Sequence, residues 1–353
     1  MTDSNPASFN LASFSLEGMR LPWPMPWPDV FGRAAPLLIE IGFGGGSFLI
    51  DLAQRQPVAN VVGVERAHHS ITDTERRVIK CALRNVRLIR MDAVAMLAYL
   101  CEPASIDTLY INFPDPFPKK AHTHRRLLNP FTLALIATRL KTGALLSIAT
   151  DVPAYAESIA HDLANTAGLI NRHPTAWLTA LADRHTTRYE RKAQELGDTN
   201  HYFEWERSTA EVPPISLTSV PAQIHVVEEK AMPNVVLETP LTLDAILESF
   251  SMREYERGAT HVRWLGIYRN YTLSGLLIDA FINEPLLEQR LGIAIVPQHD
   301  SQHAATGRYV VRLDPLGYPR PTRGTHSAIK MAADWISSLH PETKIVYSHI
   351  NEE

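Results

Sequence analysis

Between residues 36 and 166 the hydrophobic positions follow two rhythms that take turns. Short apolar runs lie at 37–42 (LLIEIG), 60–65 (NVVGVE), 86–91 (VRLIRM), 106–113 (IDTLYINF) and 144–150 (ALLSIAT). Each has the length and β-branched content of a buried strand. The stretches between them space apolar residues three and four apart, so that Ile71, Val78, Ile79, Ala82 and Leu83 share one helical face. Helices are predicted over 47–55, around 71–83 and 96–100, and over 130–140 and 153–166. Five strand–helix units in this order predict an α/β fold, a doubly wound and mostly parallel sheet of Rossmann-like type covered on both faces.

The pattern changes at both ends of this region. Residues 1–30 form an N-terminal arm in which Pro22, Pro24, Pro26 and Pro28 recur at every second position, a spacing that opposes helix and predicts an extended strap. Trp23 and Trp27 ride on the strap and are expected to anchor it to the domain 31–208. Turn formers and prolines at 209–221 mark a linker. Beyond it, 222–353 reads as a second, smaller α+β domain: a helix-like TLDAILESF, the strand-like runs HVRWLGIYRN, LSGLLIDAFI, LGIAIV and RYVVRL, a helix near 327–339 and a last strand KIVYSHI.

Composition changes this picture little. Hydrophobic residues at 45% and charged residues at 20% exclude a disordered chain. The net charge of −4 excludes nothing, because a nucleic-acid binder needs only a local basic patch. Cys81 and Cys101 have no metal-site spacing and read as reduced core thiols. His299 and His303 are spaced for a helical metal site, but Pro297 and polar neighbours predict a loop, so no metal is expected. The start of the chain lacks a basic segment followed by an apolar run, and no apolar stretch reaches 18 residues. A cytoplasmic protein that avoids membranes is expected.

Candidate chemistry gathers at the ends of the predicted strands. Glu40, Gly42, Gly44, Gly45, Gly46 and Ser47 leave the first strand and open a helix, and Glu65 ends the next strand. Glycines let the backbone approach a ligand, and the acidic residue is placed to accept from two ribose hydroxyls. A dinucleotide fingerprint wants a third glycine where Ser47 stands and no carboxylate where pyrophosphate approaches. The cationic sulfonium and ammonium groups of S-adenosylmethionine instead favour Glu40. Asp92, after the third strand, fits either an adenine contact or a helix N-cap.

The fourth strand runs into NFPDPFPKKAHTHRR, residues 112–126. Pro114, Pro116 and Pro118 predict a stiff, extended loop at the ligand-binding edge of the sheet, with Asp115 held inside it. Lys119, Lys120, His122, His124, Arg125 and Arg126 follow with no compensating acid, which points to phosphate contact.

These motifs, with DVFG, EIGFGGG, GVE, MDA, TDVPAY and TRYERKAQELG in the same order, resemble the bacterial tRNA (guanine-N7-)-methyltransferases over about 27–207. The resemblance implies a class I S-adenosylmethionine-dependent methyltransferase domain that methylates guanine N7 in tRNA, commonly at variable-loop position 46. It implies cofactor binding by Glu40, Gly42, Glu65, Asp92 and Asp115, with Asp115 also the catalytic carboxylate. Guanine and tRNA binding fall to Lys119, Asp151, Thr187, Arg188, Tyr189 and Glu190; for Asp151 a helix N-cap role stays open. Many relatives have tryptophan at Phe117, and Arg or Lys are frequent at His122 and His124. The region after 208 has no counterpart in this core. Two rivals remain beside this reading: a methyltransferase-fold RNA-binding protein without catalysis, and a nucleic-acid amino-methyltransferase. No obligate protein partner is expected.

Overall fold

The computed structural model describes residues 13–181, 190, 199–215, 232–284, 286–298, 307–314, 316 and 319–350. The chain divides into two units, residues 1–216 and 217–353. In the first, the order is β1 (Ser15–Glu17), α1 (Trp27–Phe31), β2 (Leu37–Ile41), α2 (Ser47–Arg55), β3 (Asn60–Glu65), α3 (His68–Lys80) and β4 (Val86–Arg90). There follow α4 (Ala93–Ala95), which runs into a π-helical turn at Met96–Leu100, then β5 (Ile106–Asn112), α5 (Pro130–Arg139), β6 (Leu140–Thr150), α6 (Pro153–Ala164), β7 (Leu169–Asn171) and β8 (His201–Arg207).

Eight strands form one sheet in the order β1-β4-β3-β2-β5-β6-β8-β7. The six from β1 to β6 pair in parallel, and β8 and β7 close the edge antiparallel. Strands β2 to β4 are almost continuously buried, as strands with both faces covered must be. Helix α2 lies so close to β3 that a Cβ at Gly63 meets Leu49 and Phe43 at 2.5 and 2.7 Å. A side chain there has to push Leu49 and Phe43 aside. In this unit, three of the described strands escaped the hydrophobic pattern. Both β1 and β7 have three residues, too few to display a period, and β8 lies beyond the last predicted unit.

The arm departs from an extended strap at its end. Trp27–Phe31 turn helical, because Pro28 falls in the first turn, where its missing N–H is no loss. Both indoles are buried. Trp23 stacks on Tyr99 at 4.6 Å and donates from Nε1 to the Gly18 carbonyl at 3.2 Å, while the Met25 N–H bonds to the Leu100 carbonyl at 3.1 Å. The arm is thereby clipped to the π-helical turn.

The second unit comprises β9 (Asn234–Thr239), α7 (Leu243–Glu248), β10 (Glu254–Arg257), β11 (Thr260–Asn270), β12 (Gly275–Glu284), β13 (Leu287–Pro297), β14 (Gly307–Leu313), α8 (Arg323–Leu339) and β15 (Lys344–His349). Its seven strands form an antiparallel sheet in the order β10-β11-β12-β13-β14-β9-β15. Helix α8 packs Ile329, Ala332, Ala333 and Ile336 on Leu276, Ile278 and Ile293, and Trp335 meets Trp264 edge-on at 5.2 Å. His299 and His303 lie outside the described residues. Among the described residues no helix is long and apolar enough to cross a membrane. Cys101 is buried, but Cys81 is exposed at the end of α3, so only one of the expected core thiols is in the core.

Candidate active site

Strand order reverses at β2. From it the chain steps outward through β3 and β4, then returns to pair β5 on the other side, with Glu40 opposite Tyr110 and Ile41 opposite Ile111. A crevice at the carboxyl ends of β2 and β5 follows from this topology, and open α/β sheets bind ligands there. Glu40 points into the domain with 2% of its surface exposed, and its Oε1 accepts from Asn112 Nδ2 at 2.9 Å. This bond joins the glycine-rich motif to the start of the PDPFP loop.

The turn after β2 is held from two sides. Gly42, Gly44 and Gly46 have φ of 71°, 50° and 68°, the left-handed region that favours glycine. A Cβ at Gly46 meets Thr74 at 2.4 Å, whereas Cβ atoms at Gly42, Gly44 and Gly45 meet nothing within 4 Å. The turn therefore backs onto α3 while its other glycines face open space. Glu65 grips it from the adjacent strand end: Oε2 accepts from Gly44 N at 3.1 Å, and Oε1 accepts from Arg66 N and Ala67 N at 2.7 and 3.0 Å. Arg77 reaches over from α3 and donates to the Gly45 carbonyl.

Asp92 is an N-cap. Its Oδ1 accepts from Val94 N and Ala95 N at 2.9 and 3.2 Å, and Oδ2 lies 3.6 Å from Arg66 Nη1. One oxygen satisfies the helix and the other faces the half-open edge beside Glu65's strand.

Residues 112–126 are less extended than three prolines suggest. Phe113 and Phe117 have φ of 52° and 38°, a strained region for aromatic residues, and they bracket Pro114–Asp115–Pro116. Phe113 N bonds to the Ala149 carbonyl at 2.8 Å, which fixes the loop to β6. Asp115 is exposed, as are Lys119, His122 and Arg125. Lys120–Arg125 wind into a 3-10 helix, so the basic run is a short turn of helix. Arg125 lies over the Phe117 ring at 4.6 Å. Arg126 is half-buried instead: its Nε donates to the Pro116 carbonyl at 2.8 Å and its guanidinium lies 4.7 Å from the Tyr155 ring centre.

Asp151 follows β6 and is half-buried, but it does not cap α6: the N-cap is Val152, without a side-chain bond. Thr150 Oγ1 accepts from Val152 N at 3.3 Å and shapes that turn. Glu190 is buried, and its Oε1 accepts from the Tyr202 hydroxyl at 2.9 Å. Tyr202 pairs with Ala149 near the same end of β6, so Glu190 comes to the edge that carries Asp151. Thr187, Arg188 and Tyr189 lie outside the described residues.

A buried carboxylate at a switch point, a glycine turn gripped by a second carboxylate and a strained acidic loop thus share one sheet edge. The family model "Putative methyltransferase" matches residues 34–203. The tRNA (guanine-N(7)-)-methyltransferase of Mycolicibacterium paratuberculosis is 39% identical over 177 residues, which cover 50% of this chain and 68% of that protein. That of Buchnera aphidicola subsp. Baizongia pistaciae is 38% identical over 170 residues, 48% of this chain and 70% of the relative. The chain belongs to the tRNA (guanine-N7-)-methyltransferase family. For this family member, the match ends before the second unit, residues 217–353, begins.

Two residues of the methyltransferase edge carried no assignment from sequence. Asn112 precedes Phe113-Pro114, and a polar residue closing an apolar strand is the signal for it. Tyr155 stood in TDVPAY and proves fully buried beneath Arg126, with its hydroxyl oxygen accepting from Leu128 N at 3.3 Å. Burial pushes that phenol up to about 12, an effect opposed by the Leu128 bond and the charge of Arg126. Nothing in its local sequence separates it from a core aromatic.

Proposed function

We infer that this chain transfers a methyl group from S-adenosylmethionine to the N7 atom of a guanine in tRNA, at variable-loop position 46. The observation that carries the reading is the Asn112–Glu40 bond, which sets the glycine turn and the Asp115 loop side by side at the switch point of a family member.

The residues present fit the cofactor. Gly42, Gly44 and Gly45 leave the space a side chain takes, and Glu40, Glu65 and Asp92 provide carboxylates along the edge. Glu65 suits the ribose hydroxyls, Asp92 Oδ2 the adenine amino group, and Glu40 the cationic methionine end. When bound, S-adenosylmethionine supplies an electrophilic methyl group on a sulfonium.

Guanine N7 holds a lone pair on the neutral base, so the protein need not remove a proton. Orientation is then the main device: the base leaves its stack and is held in line with the methyl. Asp115 positions the guanine and offsets the positive charge that the purine ring acquires. Asp151 and Glu190 offer acceptors for the N–H groups of the guanine edge, with Thr187, Arg188 and Tyr189 in the same segment as Glu190. Lys119, His122 and Arg125 are exposed and supply cations for the RNA backbone, and Lys120 and His124 add to that run in the sequence.

Methyl transfer from labelled cofactor to unmodified tRNA transcripts tests this, with the site mapped by cleavage at 7-methylguanine. A transcript whose variable-loop guanine is changed to adenine should accept no label; equal labelling sinks the N7 assignment. Asp115→Ala should abolish turnover while tRNA binding persists.

A further inference from the structure

The last arginine of the basic run is built into the protein. Lys119, His122 and Arg125 are exposed, whereas Arg126 is half-buried and held by main chain on both sides: its N–H bonds to the Thr123 carbonyl at 3.0 Å, and its own carbonyl accepts from Asn129 Nδ2 at 3.0 Å. Asn129 is in turn the N-cap of α5 through a 3.0 Å bond from Thr132 N. The backbone of Arg126 is thus tied to a helix start and has little freedom to follow a ligand.

Two contacts of its side chain bear on the loop. Nε–H donates to the Pro116 carbonyl, the residue directly after Asp115, at 2.8 Å. The guanidinium carbon lies over the Tyr155 ring, 4.7 Å from its centre, and Tyr155 is wholly buried and joined through its hydroxyl to Leu128 N. Burial raises the pKa of Asp162 on α6, against the opposing charges of His161 and Arg126. Prolines on both sides of Asp115 remove N–H donors, so that stretch cannot form a backbone ladder. The strained φ values at Phe113 and Phe117 persist only if surrounding contacts over-determine them.

We propose that Arg126 is a positioning residue for Asp115, a clamp between the Pro116 carbonyl and the Tyr155 ring, and that it makes no phosphate contact. The proposal rests on the assignment of Asp115 to methyl transfer. A lysine is a poor replacement: its single compact ammonium has to serve both the Pro116 carbonyl and the Tyr155 ring, which the Arg126 guanidinium reaches with separate atoms. A phosphate contact, in contrast, needs only the charge.

The experiment compares wild type with Arg126→Lys and Arg126→Gln in the full chain. Single-turnover methyl transfer at saturating tRNA and cofactor, tRNA affinity across a salt series, and hydrogen exchange at the amides of Asp115, Phe117 and Lys119 are measured. Both variants should lose about 100-fold in single-turnover rate, the penalty of a misplaced reacting group. Their tRNA affinity and salt slope should match wild type, and faster exchange should be confined to the loop. Weakened binding with a salt slope reduced by about one, and a Lys variant that restores it, overturns the clamp in favour of a phosphate contact. Unchanged rate and exchange also overturn it, and so does protection lost throughout the unit. If wild type itself methylates no tRNA, the functional reading fails, and the exchange data still decide whether Arg126 holds the loop.

Discussion

Asn112 donates to Glu40 across the point where the sheet reverses its strand order, at 2.9 Å and with both residues buried. A buried carboxylate needs such donors, because its lone pairs have left water.

Asn112→Ala removes that donor and leaves Glu40 less satisfied. We expect a loss of about 1–3 kcal/mol in stability, the usual cost of stranding a buried acceptor, read from chemical denaturation. Calorimetry should show weaker binding of S-adenosylmethionine as well. Wild-type stability and affinity in this variant contradict the coupling of the two motifs.

Gly46 and Thr74 should behave as a pair. Gly46→Ala brings both a left-handed φ of 68° and a 2.4 Å approach to Thr74, whereas Gly44→Ala has the φ of 50° alone. The first should cost more than the second, and Thr74→Ala should recover part of the difference. A double-mutant cycle with no coupling places the strain elsewhere.

The thiols should label in sequence. Cys81 is exposed, while burial pushes the Cys101 thiol up to about 12. Iodoacetamide at pH 8 should modify Cys81 in the folded protein and reach Cys101 only after unfolding, which peptide mass spectrometry can follow. Equal labelling in the native state contradicts the packing around Cys101.

Glu284, at the end of β12, titrates with its pKa raised chiefly by burial, against the pull of bonds from Thr322, Gly324 and Gln289. The unfolded chain ionises first as pH rises, so this group favours the fold at low pH. That contribution declines from the ordinary glutamate pKa up to the raised one and is flat above it. Glu284→Gln should flatten this segment of the stability–pH curve for unfolding of the second unit. A curve parallel to wild type between pH 4 and 8 rules out Glu284 as its source.

Much of the methyltransferase edge was legible in advance. The alternation of apolar runs and amphipathic segments located the five principal strands β2 to β6, and Glu40, Glu65, Asp92 and Asp115 all lie at strand ends on one edge of that sheet. Strand ends can be read because period and turn chemistry are local properties of the chain. The antiparallel closure by β8 and β7, the one-turn helix at Trp27 and the 3-10 helix in the basic run were not legible.

What the sequence by itself determined is the parallel sheet, the chemistry available at its edge and the family to which the chain belongs. Only the tertiary structure decided how those groups are divided. Asp92 proved to cap a helix with one oxygen, Asp151 proved not to cap one, and Arg126, identical in sequence terms to Arg125 beside it, turned inward onto Tyr155. The physical reason is that a charge run shows how many cations are present. Which of them faces solvent depends on partners 10 and 29 residues away in the chain, at Pro116 and Tyr155.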